Sequence, residues 1–132
     1  MKVFGDTNFL ISAFATRGLS TDVLSLVITR HELIISEFVL QELSEKLRTK
    51  LKLPQGDIRD IELFLRTFTV INPSEKSTYH LRDPDDEWVL AAALEAKSDV
   101  LITGDKDLLD ENDSITELEI LTPRGFWELL KH

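Results

Sequence analysis

The sequence predicts an α/β domain built on one parallel sheet with helices on both faces. Three observations carry this expectation. Short apolar blocks recur at residues 3–5, 33–35, 68–71, 100–102 and 119–121, and most are nearly continuous rather than alternating, the pattern of strands buried on both sides. The stretches between them have helical periodicity and are long enough for crossover connections. At 132 residues the chain has the length of a single domain, and no repeat, low-complexity tract or linker divides it, so one domain over 1–132 is expected.

The elements follow in order. Residues 3–5 form the first strand, and Asp6 at its end can cap a short helix opened by Thr7 and Asn8. A helix over 19–30 leads to the second strand. The next helix, 37–53, carries Val39, Leu43, Leu47 and Leu51 as one stripe, with Glu42 projecting at the edge of that apolar arc between Phe38 and Val39. A carboxylate there is expensive without a partner. A helix over 57–67 precedes the third strand. Asp83-Pro84 reads as an N-cap with proline in the first helical position, opening a helix over 84–97. That helix is apolar nearly all round through Trp88, Val89, Leu90, Ala91, Ala92, Ala93 and Ala96, so it should lie deep, with Asp85-Asp86-Glu87 at one end. The fourth strand runs into Thr103-Gly104-Asp105-Lys106-Asp107, a turn with Asp105 in a capping position, and a last helix follows Pro123.

Composition narrows the chemistry. Acids outnumber bases 24 to 15, a formal charge of -9, which argues against a protein that coats nucleic acid through a broad basic surface. The longest apolar run, 88–94, falls far below the roughly 18 residues of a membrane span. The first residues lack the apolar stretch and cleavage site of a secretory signal, so a cytoplasmic protein is expected. With no cysteine and only His31, His80 and His132, scattered along the chain, disulfides, thiolate zinc sites and cysteine nucleophiles are excluded. Carboxylates remain.

Three of four acids have a ready structural role, capping for Asp6 and Asp105 and service to a helix dipole for Asp86, whereas Glu42 leans into an apolar arc instead of facing water. They can also meet. Asp6 and Asp105 both follow strand ends, and ligands of open parallel sheets bind beyond those ends where the strand order reverses. Glu42 and Asp86 stand in the first turns of helices that reach the same edge. Converging carboxylates raise one another's pKa unless something positive lies among them, and no buried lysine or arginine is evident nearby. Oxygen-only donors suit Mg²⁺ or Mn²⁺ rather than zinc.

Asp6-Thr7-Asn8 after an apolar strand, Ser36 followed by Val39-Leu40-Gln41-Glu42-Leu43, Asp86 followed by Val89-Leu90-Ala91-Ala92-Ala93, and Thr103-Gly104-Asp105-Lys106-Asp107-Leu108-Leu109 resemble the four acidic motifs of PIN-domain nucleases. The resemblance runs from residue 2 to about 126, and the third and fourth motifs are most similar to toxins of prokaryotic toxin-antitoxin pairs of the VapBC type. It implies a three-layer α/β/α sandwich with strand order 3-2-1-4-5, which sets Asp6 and Asp105 side by side. It further implies that Asp6, Glu42, Asp86 and Asp105 are the catalytic, metal-holding acids, that Asp107 is an accessory ligand, and that Asn8, Ser36 and Thr103 are polar groups behind them. Ser36 stands where the family more often has threonine. The implied reaction is Mg²⁺- or Mn²⁺-dependent hydrolysis of RNA, leaving a 5′-phosphate and a 3′-hydroxyl. The implied assembly is a homodimer silenced by an antitoxin that covers the active site.

For the RNA itself, Lys46, Arg48, Lys50 and Lys52 lie on the helix that carries Glu42 and are candidate phosphate contacts, although a solvated face with cations near a helix C-terminus is the commoner role of such a run. Arg17 and Arg82 are further candidates. Phe126, Trp127 and Leu130 offer an apolar surface that either meets a partner or packs a terminal helix. A haloacid-dehalogenase-type phosphatase needs a second acid two residues after the first, where Asn8 stands, and a receiver-type phosphoacceptor expects an acidic pair where only Asp6 occurs. A catalytically inactive PIN-like module that binds protein or RNA is the non-enzymatic alternative.

Overall fold

The computed structural model describes residues 1–130. The chain begins with β1 (Lys2–Gly5), α1 (Thr7–Ala15), α2 (Leu19–Arg30) and β2 (Glu32–Ser36), continues through α3 (Glu37–Thr49), α4 (Gln55–Leu65), β3 (Thr69–Ile71) and α5 (Pro84–Glu95), and closes with β4 (Val100–Ile102), α6 (Lys106–Asp110), β5 (Glu119–Leu121) and α7 (Pro123–Leu130). All strand pairs are parallel and the order is β3-β2-β1-β4-β5, the arrangement expected. β1 lies in the middle, with Phe4 opposite Ile34 on one side and Leu101 on the other.

The apolar blocks are continuous because both faces of the sheet are covered. Successive residues of a strand point to opposite faces, and Val3, Phe4, Leu33, Ile34, Ile35, Val100, Leu101 and Ile102 are all buried. The chain builds outward from β1 to β2 and β3, then returns to β4 on the other side of β1. The reversal point therefore lies at the carboxyl ends of β1 and β4, where Asp6 and Asp105 follow.

The helices fill the layers as their patterns require. Val39, Leu43 and Leu47 of α3 are buried, each contributing on the order of 2 kcal/mol by leaving water. In α5 Val89, Leu90, Ala92 and Ala93 are buried, and the small alanines accompany its packing against β2 and α3. No single helix among the described residues is long and apolar enough to cross a membrane.

Some boundaries differ from those expected. α3 ends at Thr49, not at 53, because Lys52 takes a left-handed conformation (φ 52°) ahead of Leu53-Pro54, and a residue before proline disfavours helix. Leu51 therefore leaves the stripe and is 41% exposed, while Leu53 packs on the core and its N–H reaches Leu47 O at 3.0 Å. α5 stops at Glu95 for a similar reason, Lys97 having φ 56°. In α7, Phe126 is a core residue, so the exposed apolar surface there comes from Trp127 and Leu129.

Candidate metal centre

Asp6 is anchored before its side chain does anything. Its N–H donates to Ile102 O at 3.0 Å, joining the end of β1 to the end of β4. Its Oδ1 accepts from Thr7 N at 2.7 Å and its Oδ2 from Thr103 Oγ1 at 2.7 Å. The same Thr103 hydroxyl accepts from Asp105 N at 2.9 Å, so one buried oxygen holds both acids in register. Asp105 caps α6, accepting from Asp107 N at 2.9 Å, and Asn8 Oδ1 accepts from Gly104 N at 2.8 Å. The capping roles read from the sequence and the convergence of the acids hold together.

The other acids arrive on helices. Ser36 caps α3 by accepting from Val39 N at 3.1 Å, which sets the direction in which Glu42 projects. Asp83 caps α5, accepting from Asp85 N at 2.9 Å, with Pro84 in the first turn. That places Asp86 in the first turn of a buried helix, where it is 6% exposed and its Oδ2 has no hydrogen-bond partner. Thr7 Oγ1 is buried and unpartnered too.

Asp6, Glu42, Asp86 and Asp105 line one cavity of about 100 Å³, together with Thr7, Asn8, Phe38, Lys46, Asp83, Asp85 and Val89. Burial pushes the Asp6 carboxyl up to about 6 despite the Thr103 and Thr7 hydrogen bonds, and the charges of Glu42 and Asp105 add to the rise. Asp86 is raised as well, first by burial and then by the charge of Asp105. These are the conditions under which an isolated acid cluster is costly and a cation is welcome.

The residues fit a divalent ion. Oxygen atoms of Asp86, Asp105 and Asp107 all lie within 4.8 Å of one another. A Mg²⁺ ion holding oxygens at about 2.1 Å keeps opposite ligands about 4.2 Å apart, so small side-chain rotations suffice. The unpartnered Asp86 Oδ2 is the atom that most needs such a ligand. Asp6 and Glu42 share the cavity but stand outside this tight group, and Asp107 belongs to the group without lining the cavity.

The basic residues separate. Lys46 lines the cavity, with its Nζ 3.9 Å from Glu42 Oε2, whereas Arg48, Lys50, Lys52 and Arg17 are exposed and do not. Arg82 Nη1 lies 3.2 Å from Asp107 Oδ1. Two cations thus stand beside the acids, Lys46 half-exposed and Arg82 exposed, neither of them buried. Thr7 also lines the cavity, and the only sign of it in the sequence is its position beside Asp6.

A family model described as PIN domain matches residues 2–107. Among solved structures, VapBC-1 from nontypeable Haemophilus influenzae is 23% identical with a TM-score of 0.66, covering 94% of this chain and 99% of its own. A toxin-antitoxin complex from Klebsiella pneumoniae is 22% identical with a TM-score of 0.65, covering 92% and 97%. The PIN domain endonuclease Utp24 is 22% identical with a TM-score of 0.59, covering 92% and 84%. No curated protein sequence matches the chain. At these identities the structures speak for the fold, while the family model spans most of the chain, including every acid placed at the sheet edge: the chain belongs to the PIN domain family.

Proposed function

We propose that the protein is a metal-dependent endoribonuclease and the toxin of a toxin-antitoxin pair. The observation that carries the reading is the buried, unpartnered Oδ2 of Asp86 within reach of Asp105 and Asp107, in a cavity that Asp6 and Glu42 complete. Asp86, Asp105 and Asp107 would hold Mg²⁺ or Mn²⁺, with Asp6 beside them. A bound ion of this kind polarises a phosphate oxygen and lowers the pKa of a water. Glu42, on α3 at the cavity wall, would orient the attacking water and take its proton. Thr103 holds the Asp6 side chain and the Asp105 backbone, Asn8 ties down the turn at Gly104 next to Asp105, and Ser36 caps the helix that carries Glu42.

A cavity of about 100 Å³ is well short of the roughly 300 Å³ at which small-molecule pockets begin. The reading therefore has RNA lying across the mouth with a single phosphate presented to the acids. Lys46 at the cavity and Lys50 just past the end of α3 are the phosphate contacts it favours. The likeness to VapBC-1 and to the Klebsiella toxin-antitoxin complex supports an antitoxin partner and a toxin role, and a homodimer and a cytoplasmic setting belong to the same proposal.

The test is incubation with defined single-stranded and hairpin RNAs under Mg²⁺, Mn²⁺ or chelator, alongside Asp6→Asn and Asp86→Asn. Cleavage that requires the ion, leaves 5′-phosphates and disappears in both variants is expected. Activity surviving both substitutions, or none under any ion, contradicts it. Ion-dependent thermal stabilisation with no cleavage would favour the binding-module alternative.

A further inference from the structure

Arg82 stands at the junction of two facts about Asp107. The carboxylate takes an ion pair from Arg82 through one nitrogen, Nη1 to Oδ1 at 3.2 Å, and one of its oxygens also lies within 4.8 Å of ligand oxygens on Asp86 and Asp105. The same acid is thus shared between an arginine and the candidate metal position. Among the described residues the guanidinium has no second hydrogen-bond partner, so most of its donor fork is free.

The backbone and the side chain of Arg82 differ in freedom. Residues 72–83 contain neither helix nor strand, yet the chain at this point is pinned: Asp83, the next residue, caps α5, and Ser77 N donates to Glu87 O at 3.2 Å. The Arg82 side chain itself is 82% exposed, and that of Asp107 is 37% exposed. Exposed pairs of this sort contribute little and exchange readily. A planar guanidinium can instead grip a phosphate through two nitrogens. Lys46 stands in a similar loose relation to Glu42, so two separate segments of the chain each pair a cation with one of these acids.

We propose that Arg82 is an exchangeable counter-ion, seated on Asp107 in the metal-free protein and passed to an RNA phosphate once Asp107 turns to a divalent cation. The proposal rests on the nuclease reading above. It makes Arg82 a competitor of the metal when RNA is absent and a ligand of the substrate when the metal is present. A merely structural ion pair would show neither behaviour, still less both with opposite sign.

The experiment compares wild type, Arg82→Ala and Arg82→Lys. Calorimetric titration with Mn²⁺ in the absence of RNA should show Arg82→Ala binding about two- to fivefold more tightly, the range that an exposed pair can supply. Anisotropy of a labelled single-stranded RNA in Ca²⁺, with its integrity checked on a gel, should show the salt slope of log Kobs falling by about 0.7 in Arg82→Ala. Arg82→Lys should keep that slope while binding RNA less tightly than wild type. Unchanged or weaker Mn²⁺ binding in Arg82→Ala, or an unchanged slope, overturns the proposal. Wild-type protein that holds no RNA overturns the nuclease reading and this proposal together, whereas wild-type binding that Arg82→Ala leaves untouched overturns this proposal alone.

Discussion

The buried hydroxyl of Thr103 donates to Asp6 Oδ2 at 2.7 Å while accepting from the N–H of Asp105 at 2.9 Å. It is the only side chain among the described residues that hydrogen-bonds both acids at the carboxyl ends of β1 and β4. Thr103→Val keeps the shape and removes the hydroxyl, leaving a buried carboxylate oxygen and a backbone N–H without partners. The expected loss is about 1–3 kcal/mol in urea unfolding, with weaker Mn²⁺ binding, and Thr103→Ser should restore most of both. A valine variant as stable as wild type would show that the bridge contributes nothing.

Stability should depend on pH with a definite sign. Asp6 titrates near 6 in the folded protein against an ordinary value of 3.8, and Asp86 shifts in the same direction. An acid that holds its proton more tightly when folded contributes stability that is complete below pH 3.8 and lost as the pH rises through about 6. The metal-free protein should therefore be more stable near pH 4 than near pH 7, Asp6 alone accounting for a few kcal/mol at most. The ion pair of Glu37 with Arg66 works in the opposite sense but is exposed and weak. Urea unfolding in chelator across this range should show a slope that is shallower in Asp6→Asn. Identical slopes would remove Asp6 as its source.

Ser36→Ala removes the cap of the helix that carries Glu42. A loss of roughly 1 kcal/mol is expected, together with slower cleavage than stability alone accounts for, because Glu42 is aimed from that first turn. The check is single-turnover rates at a temperature where the variant is fully folded. Full-speed cleavage would mean that Glu42 needs no such aim.

Lys46 and Arg48 lie on the same helix but differ by about 160° around it, and only Lys46 lines the cavity. Lys46→Ala should lower the salt slope of RNA binding by about 0.7, and Arg48→Ala should leave it unchanged. Equal effects would place the RNA along the whole basic run, as the sequence alone allowed.

The sheet and its order were legible because the strands are short, nearly continuous apolar blocks set apart by crossover lengths, and because the acidic motifs resemble those of one family. The convergence of Asp6, Asp86 and Asp105 on one cavity was legible because Asp6 and Asp105 cap helices that follow strand ends and Asp86 stands in the first turn of a helix that starts at the same edge. What escaped has physical causes. The end of α3 depends on Lys52 adopting a left-handed conformation, which lysine does not advertise. The pairing of Arg82 with Asp107 joins residues far apart in the chain through a segment without regular structure, and no periodicity encodes that contact.

The most direct measurement is calorimetric titration of Mn²⁺ into the wild-type protein and into Asp86→Asn at neutral pH. Saturable binding in wild type that is lost or greatly weakened in the variant is the predicted result. Absence of binding in wild type, or binding that the substitution leaves unchanged, would contradict the claim that these carboxylates converge to hold a cation.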